Sequence, residues 1–303
     1  GGTKVEVGVQ TTYERINREM HRGHGNQASV DANRNLRNAA FKVGFHMMPG
    51  QPGMTERMVE EDFRQLFESP EWRPDYLKIY PTLVVRGTRV YDQWHRDDFD
   101  PLQNEQAAEL VARVMKDLPR YVRLQRVQRD IPADFIDAGV WKSNLRQLAW
   151  QKMEEHGWEC SCIRCREVGM NDAEPETVEM GTIEYEAAGG QEQFISFEDF
   201  EQDLLVGFAR LRFPGEVARP ELTNAALLRE LHVYGDAVSV GEASGEGDQQ
   251  HRGYGRRLMR EAEDRARDAG YEKLAVISGI GARQYYKRKL GYHQDGPYVV
   301  KGL

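Results

Sequence analysis

The chain has 303 residues, enough for two domains that each bury a core. Its 49 acidic residues outnumber 41 basic ones, for a formal net charge of −8, so a nucleic-acid partner needs a local basic patch and cannot rely on the overall field. No apolar run is long enough to span a bilayer, the opening "GGTKVEVGVQ" has no signal-peptide character, and three clustered cysteines offer no disulfide framework; together these read as a cytoplasmic protein with no membrane partner.

"TKVEVGVQT" alternates Val with polar residues and reads as a strand. "YERINREMHRGH" has helical spacing, and "VDANRNLRNAAF" is a second helix opened by Asp31. "KVGFHMMPGQPG" is a strand ended by a Pro/Gly loop, "TERMVEEDFRQLFES" a helix capped by Thr55, and "PDYLKIYPTLVV" a further strand. Such alternation implies parallel βαβ units. A first strand so close to the start suits the C-terminal part of a longer barrel. After Asp100 come an amphipathic helix, "PLQNEQAAELVARVMKDL", and "RYVRLQRVQRDIP", with Arg120, Arg123, Arg126 and Arg129 at three-residue intervals. "SNLRQLAWQKMEEHG", the cysteine cluster "CSCIRCREVG" and the acidic "NDAEPETVEMG" follow. The pattern then turns antiparallel through "GTIEYEAAGGQEQFISFEDF", "LLVGFARLRFP" and "ALLRELHVYG". After "QQHRGYGRRL", a glycine turn leading into a helix, come strand "KLAVISG", helix "ARQYYKRKLGY" and closing strand "GPYVVKGL".

Three stretches carry chemistry. The first amides of a helix have no partner inside it and that end is electropositive, so Gly253 and Gly255, lacking Cβ, would let an anion approach. The turn reads either as a plain helix entry or as a phosphate seat made by the amides of Gly253, Tyr254 and Gly255, with Arg252 or Arg256 adding charge. Cys160, Cys162 and Cys165 place three thiolates within six residues, enough to wrap one metal. A structural zinc is the favoured occupant, with an iron–sulfur site or merely clustered thiols as alternatives, and His156 or a residue outside this chain as the fourth ligand. The arginines of 120–129, with Lys142, Arg146, Arg164 and Arg166, form the one basic concentration, read either as a solvated face or as a contact to a phosphate backbone.

The order strand "LRELHVYG", turn, helix, strand "LAVISG", helix "ARQYYKRKLGY" resembles the acetyl-CoA-binding domain of the GNAT class, whose Gln/Arg-x-x-Gly-x-Gly pattern is met by Gln250, Gly253 and Gly255. With "HMMPG", "KIYPTLV", "RVQRDIP", "REVG" and "AVISGIG" added, nearly the whole chain resembles the family of Elongator catalytic subunits, radical SAM enzymes fused to a GNAT domain. The resemblance implies an α/β fold: the C-terminal part of a partial (β/α) radical SAM barrel over 1–130, a zinc-containing connector over 131–172, and a GNAT-like domain over 173–303. It implies carboxymethylation at C5 of the wobble uridine of tRNA, acetyl-CoA supplying the carbon unit and SAM, cleaved at an iron–sulfur cluster, a radical. The family's cluster cysteines are expected upstream; with no triad before Cys160, the chain as given is expected to keep acetyl-CoA and tRNA binding and acetyl-CoA hydrolysis.

By the same resemblance Glu230, Leu231, His232 and Val233 line the pantetheine and acetyl group, and Tyr286, or else Tyr285, protonates the departing thiolate. One more residue than the family pattern separates these tyrosines from Gly291, a rotation of about 100° on a helix, which leaves both open. Gln10, His46 and Lys78 are SAM-side contacts. A homodimer or other Elongator subunits are the implied protein partners. The competing function is a protein lysine acetyltransferase with Glu230 as its base.

Overall fold

The computed structural model describes residues 1–128, 131–171, 173–234 and 248–303, with backbone only at 248–252. The chain divides into two units: Glu6–Ala32 with Gly44–Cys162, and Ile163–Leu303 with Gly1–Val5 and Asn33–Val43. The division between Cys162 and Ile163 falls inside the stretch expected as a connector, 131–172. From Ile163 onward that stretch packs with the C-terminal unit: Arg166 donates to Glu198 at 2.6 Å, and Glu167 bridges to Leu205.

The first half of the chain runs β1 (Lys4–Gln10), α1 (Glu14–Glu19), α2 (Asn26–Asn38), β2 (Lys42–Met47), α3 (Glu56–Glu68), β3 (Tyr76–Ile79), α4 (Arg89–His95), α5 (Asn104–Lys116) and β4 (Arg123–Val127). The strands form one sheet in the order β1-β2-β3-β4, and β2, β3 and β4 are parallel, as the alternation with helices requires. Thr55 caps α3, accepting from the amide of Met58, and the helix buries Val59, Phe63 and Leu66. Asp62 on the same helix is buried and accepts from the Thr12 amide and hydroxyl at 2.7 and 2.6 Å, which fixes the chain just past β1. Burial pushes its carboxyl up, and the Thr12 bonds pull the other way. Then come α6 (Leu145–His156), ended by Gly157 at φ 67°, and the single turn α7 (Ile163–Arg166).

The remaining elements are β5 (Glu179–Ala187), β6 (Gly190–Asp199), β7 (Leu204–Phe213), β8 (Ala225–Val233), α8 (Asp248–Asp268), β9 (Lys273–Val276), α9 (Ile280–Leu290), β10 (His293–Asp295) and β11 (Tyr298–Gly302). They form a seven-stranded sheet in the order β10-β11-β9-β8-β7-β6-β5, antiparallel except for β8 and β9. β8 and β9 are joined through α8, the kind of connection a parallel pair needs. α8 lays Leu258, Met259, Ala262 and Ala266, spaced for one helical face, against Ile195, Val206, Leu228, Leu274 and Val276 of the sheet.

The most heavily charged part of this unit is fully buried. Glu192 on β6 accepts from Arg37 at 3.0 Å, from Arg212 at 2.9 Å and from Arg229 at 2.8 and 3.1 Å, and each of the four is at most 1% exposed. The other guanidinium N–H groups reach Asn33, Asn38 and the carbonyls of Phe41, Ala187 and Ala188. Burial lowers the Arg212 guanidinium to about 10, with Glu192 opposing the shift and Arg229 and Arg37 adding to it, so it stays charged at neutral pH. The array explains why residues 33–43 belong to this unit, and why position 190 is glycine: a Cβ there would lie 2.7 Å from the Arg212 guanidinium carbon.

Removing one charge from such an array leaves the others buried and uncompensated. Glu192→Gln is therefore expected to cost about 3–5 kcal/mol in urea unfolding; a variant as stable as the parent would refute the cluster's role in holding the sheet.

At the end of β6, Asp199 accepts the amides of Glu176, Thr177, Glu201 and Gln202 at 2.8 to 3.1 Å, and these bonds hold its carboxyl down at about 2. A depressed carboxylate contributes stability above its unfolded pKa, about 3.9, and loses it as pH falls toward the folded value. The stability gap between parent and Asp199→Asn should hold steady from pH 7 to 5 and close between about pH 4 and 2. A gap that does not close on acidification would show that the ionised carboxylate is not what matters.

Candidate functional site

β8 and β9 pair only over Ala225–Leu228 and Lys273–Val276. β9 ends there, while β8 continues to Val233, still paired with β7 on its other edge. Among the described residues, the β9-side edge of 229–233 pairs with no strand. The parting has a local cause. Leu211 pairs with Leu228 but Arg210 with Glu230, so Arg229 is an extra residue, a bulge that bends β8 where the pairing stops.

Leu231 and Val233 turn toward the α8 side of the sheet and pack on its core. His232 is exposed and stacks with Phe208 at 6.0 Å and against Tyr234 at 4.4 Å. Glu230 is buried and accepts from Arg210 Nε at 2.9 Å. β7 comes unusually close at this end: a Cβ on Gly207 would sit 2.9 Å from the His232 carbonyl oxygen.

The glycines expected in a turn before the helix lie inside it, because α8 begins at Asp248. Once the preceding turn is helical, the amides of Gly253, Tyr254 and Gly255 have carbonyl acceptors one turn back, and each glycine costs the helix only about 1 kcal/mol. That cost has no structural return. Neither glycine has a positive φ; a Cβ on Gly253 would meet nothing within 4 Å, and one on Gly255 would make ordinary 3.7 Å contacts to Tyr285 Oη and Val233 Cγ2. A bare helix face that the protein does not need bare fits the close approach of a ligand. Tyr254 packs its ring on Phe197 at 4.8 Å, Arg257 lies over Phe197 at 4.4 Å, and Arg256 is exposed. The side chains of Gln250 and Arg252 lie outside the described residues.

The two tyrosines of α9 have different surroundings. Tyr286 is 6% exposed, packed edge-on against Tyr292 at 5.8 Å, and burial pushes its hydroxyl far above the ordinary tyrosine value. Tyr285 is 36% exposed, with its hydroxyl facing Gly255; burial raises it too, and the Arg256 guanidinium pulls it back. Val233, Gly255 and Tyr285, from three different elements, thus meet at the splayed edge.

The sulfur atoms of Cys160, Cys162 and Cys165 lie within 4.8 Å of one another. Tetrahedral zinc with bonds of about 2.3 Å sets its sulfurs about 3.8 Å apart, so the group needs little adjustment. His156 is not part of it: its ring stacks on Trp158 at 4.2 Å and its Nε2 lies 3.1 Å from Glu109, because α6 directs the side chain toward α5.

The basic residues divide. Arg126 and Lys142 are exposed, and Arg120, Arg123 and Arg164 are half-buried. Arg146 donates to the Leu124 carbonyl at 2.8 Å, and Arg129 lies outside the described residues. Arg166 departs from the expected basic surface, being 1% exposed and spent on Glu198. Of the expected SAM-side residues, Gln10 ends β1 at φ 70°, while His46 and Lys78 both reach one carboxylate oxygen of Glu6, at 2.7 and 2.5 Å. Glu6, like the bulge at Arg229, left no periodic mark in the sequence; both emerge only from strand pairing.

Three family models match: the Radical SAM superfamily over residues 1–66, the Radical_SAM C-terminal domain over 74–155, and the Acetyltransferase (GNAT) family over 150–292. These families imply acetyl-CoA for the last part, and SAM with an iron–sulfur cluster for the first. The whole chain aligns at 44% identity with the tRNA uridine(34) acetyltransferase of Methanocaldococcus jannaschii, covering 57% of that protein. It aligns at 44% with Elongator complex protein 3 of Danio rerio and at 43% with that of Homo sapiens, covering 56% of each. The chain spans little more than half the length of these curated relatives. A solved structure of Methanocaldococcus infernus Elp3 with an N-terminal deletion superposes with a TM-score of 0.92 at 42% identity, over 100% of this chain and 73% of that one. Among the described residues no helix is long and apolar enough to cross a membrane. An α/β chain in which part of a radical SAM barrel is followed by a GNAT domain, matched end to end at this identity, belongs to the Elp3 family.

Proposed function

We propose that this chain is the acetyl-CoA- and tRNA-binding part of a cytoplasmic enzyme that carboxymethylates the wobble uridine of tRNA at C5. The observation that carries the acetyl-CoA half is the meeting of Val233, Gly255 and Tyr285 at the splayed edge of β8. The backbone of 229–233, on the edge that β9 leaves, pairs with the pantetheine amides, and the bare face at Gly253 and Gly255 admits the pyrophosphate beside Arg256. Attack of water on the thioester carbonyl breaks the carbon–sulfur bond and leaves a carboxylate; the Tyr285 hydroxyl gives its proton to the leaving sulfur, and the proton the water loses passes to solvent. With its pKa raised, Tyr285 holds that proton at neutral pH. Tyr286, sealed in the core, serves as packing.

SAM bound at an iron–sulfur cluster supplies a radical in this superfamily. The cysteines of this chain fall outside the segment matched to the superfamily and do not have its triad spacing, so none of its residues is assigned to the cluster. The tRNA half of the proposal rests on relatives named for tRNA uridine(34), and protein partners rest on those named for the Elongator complex. The lysine-acetyltransferase reading needs Glu230 as a base, and a carboxylate committed to Arg210 at 2.9 Å is poorly placed to take a proton. Cys160, Cys162 and Cys165 would hold a structural zinc, closed by a fourth ligand other than His156.

The chain should release CoA from acetyl-CoA slowly, and faster with tRNA. Tyr285→Phe should lower that rate about 100-fold with binding intact, whereas Tyr286→Phe should chiefly lower the melting temperature. Gly253→Asp, which puts bulk and negative charge at the pyrophosphate, should weaken acetyl-CoA binding by calorimetry at least about tenfold. Parent-like affinity in Gly253→Asp would remove the seat from α8, and parent-like turnover in Tyr285→Phe would remove the proton donor.

Elemental analysis of protein purified without chelator should find close to one zinc per chain with little iron. Cys162→Ser should lose the metal and part of the thermal stability; a variant unchanged in both would exclude a structural zinc.

A further inference from the structure

The loops that follow β3 and β4 are clipped together. The amide of Val84 donates to the Ala138 carbonyl at 2.9 Å and the amide of Asp137 donates back to Val84 at 2.9 Å. Arg86 closes the clip, its backbone amide and guanidinium holding the Asp137 carboxylate at 2.9 and 3.1 Å. On this clip stand two large side chains with exposed surface: Phe135, 64% exposed, and Trp141, 44% exposed. The backbone beside Trp141 is fixed, because Asn104 Oδ1 accepts the amides of Trp141 and Lys142 at 3.1 and 3.0 Å. On the other loop Arg86 lies over the ring of Tyr91 at 5.8 Å, and Tyr91 stacks on His95 at 5.9 Å. Lys142, next to Trp141, is exposed.

Flat rings held on a fixed backbone, set among cations beyond the C-terminal ends of parallel strands, suit unpaired bases on a charged backbone. A duplex keeps its base faces covered, whereas single-stranded nucleotides offer them for stacking. We infer that the loops after β3 and β4 form a platform for unpaired nucleotides of the RNA substrate. Phe135 and Trp141 receive bases by stacking, and Arg86 and Lys142 stand near the phosphates. The inference rests on the tRNA half of the proposed function and names the residues that read that substrate.

The test uses the 303-residue chain, its tRNA, a single-stranded RNA of anticodon-loop sequence, and a duplex of equal charge, with affinities measured across a salt series. Phe135→Ala and Trp141→Ala should each weaken tRNA and single-strand binding about tenfold, leaving the salt dependence and acetyl-CoA binding as in the parent. Lys142→Gln should instead lower the salt slope by about one. The single strand, unlike the duplex, should quench tryptophan emission, and Trp141→Ala should lose that quench. Parent-like RNA affinity in both alanine variants would overturn the inference. So would an equal loss for the duplex, or a changed oligomeric state with RNA binding intact, which would make this face a protein interface. A parent chain that binds acetyl-CoA but no tRNA would overturn the tRNA reading and this inference with it; variants that bind tRNA as the parent does would overturn this inference alone.

Discussion

One buried carboxylate, Glu192, takes hydrogen bonds from three guanidiniums that would be intolerable without it, and the shape of the splayed edge of β8 follows from where they stand. Arg229 must point at Glu192, while its neighbour Glu230 must meet Arg210. Regular strand alternation serves both only if the register slips by one residue, and it slips there: Arg229 is the bulge. A bulge bends and twists its strand, and the pairing of β8 with β9 stops at Leu228, just before it. The splay that opens the 229–233 backbone is thus the outward side of an internal charge requirement. The ion cluster and the ligand edge are one construction, seen from its two ends.

The same requirement shows which kinds of pattern the sequence carries and which it does not. The alternating Val residues of β1 and the helical spacing of α2 identify those elements, since each depends on residues within a few positions, but α2 begins at Asn26, more than a turn before the Asp31 expected to open it. Which unit Asn33–Val43 joins depends on Arg37 reaching Glu192, 155 residues away, and no periodicity encodes such a pair. Charge was hard to read for the same reason. Arg166 looks like one more member of a basic run, yet it is spent on Glu198; Arg146 is spent on a carbonyl. Composition counts charges, and only packing separates those that face water from those that hold the core.

The glycines at 253 and 255 were legible in kind and misplaced in setting. Their absence of side chain is what the proposed phosphate seat draws on, because among the described residues nothing around them demands it. The expected turn was a default reading of Gly-x-Gly, and a helix that begins at Asp248 absorbs both residues at modest cost. The cysteines were the reverse case. Their spacing alone brings three sulfurs together, whereas His156, near in sequence, is carried off by α6 toward Glu109.

The two tyrosines show how far helical geometry decides chemistry. Adjacent positions on a helix point about 100° apart, so at most one of the pair can face the splayed edge while the other enters the core. The core has a shape that only one register fills: Tyr286 packs edge-on against Tyr292, whose hydroxyl donates to the buried Glu263, itself held by Lys301. That network fixes the rotation of α9 from the inside. Tyr285 is then directed outward over Gly255, where a side chain on the facing helix would stand between it and a ligand. The proton-donor role proposed for Tyr285 draws on this division, in which the residue behind it carries the packing.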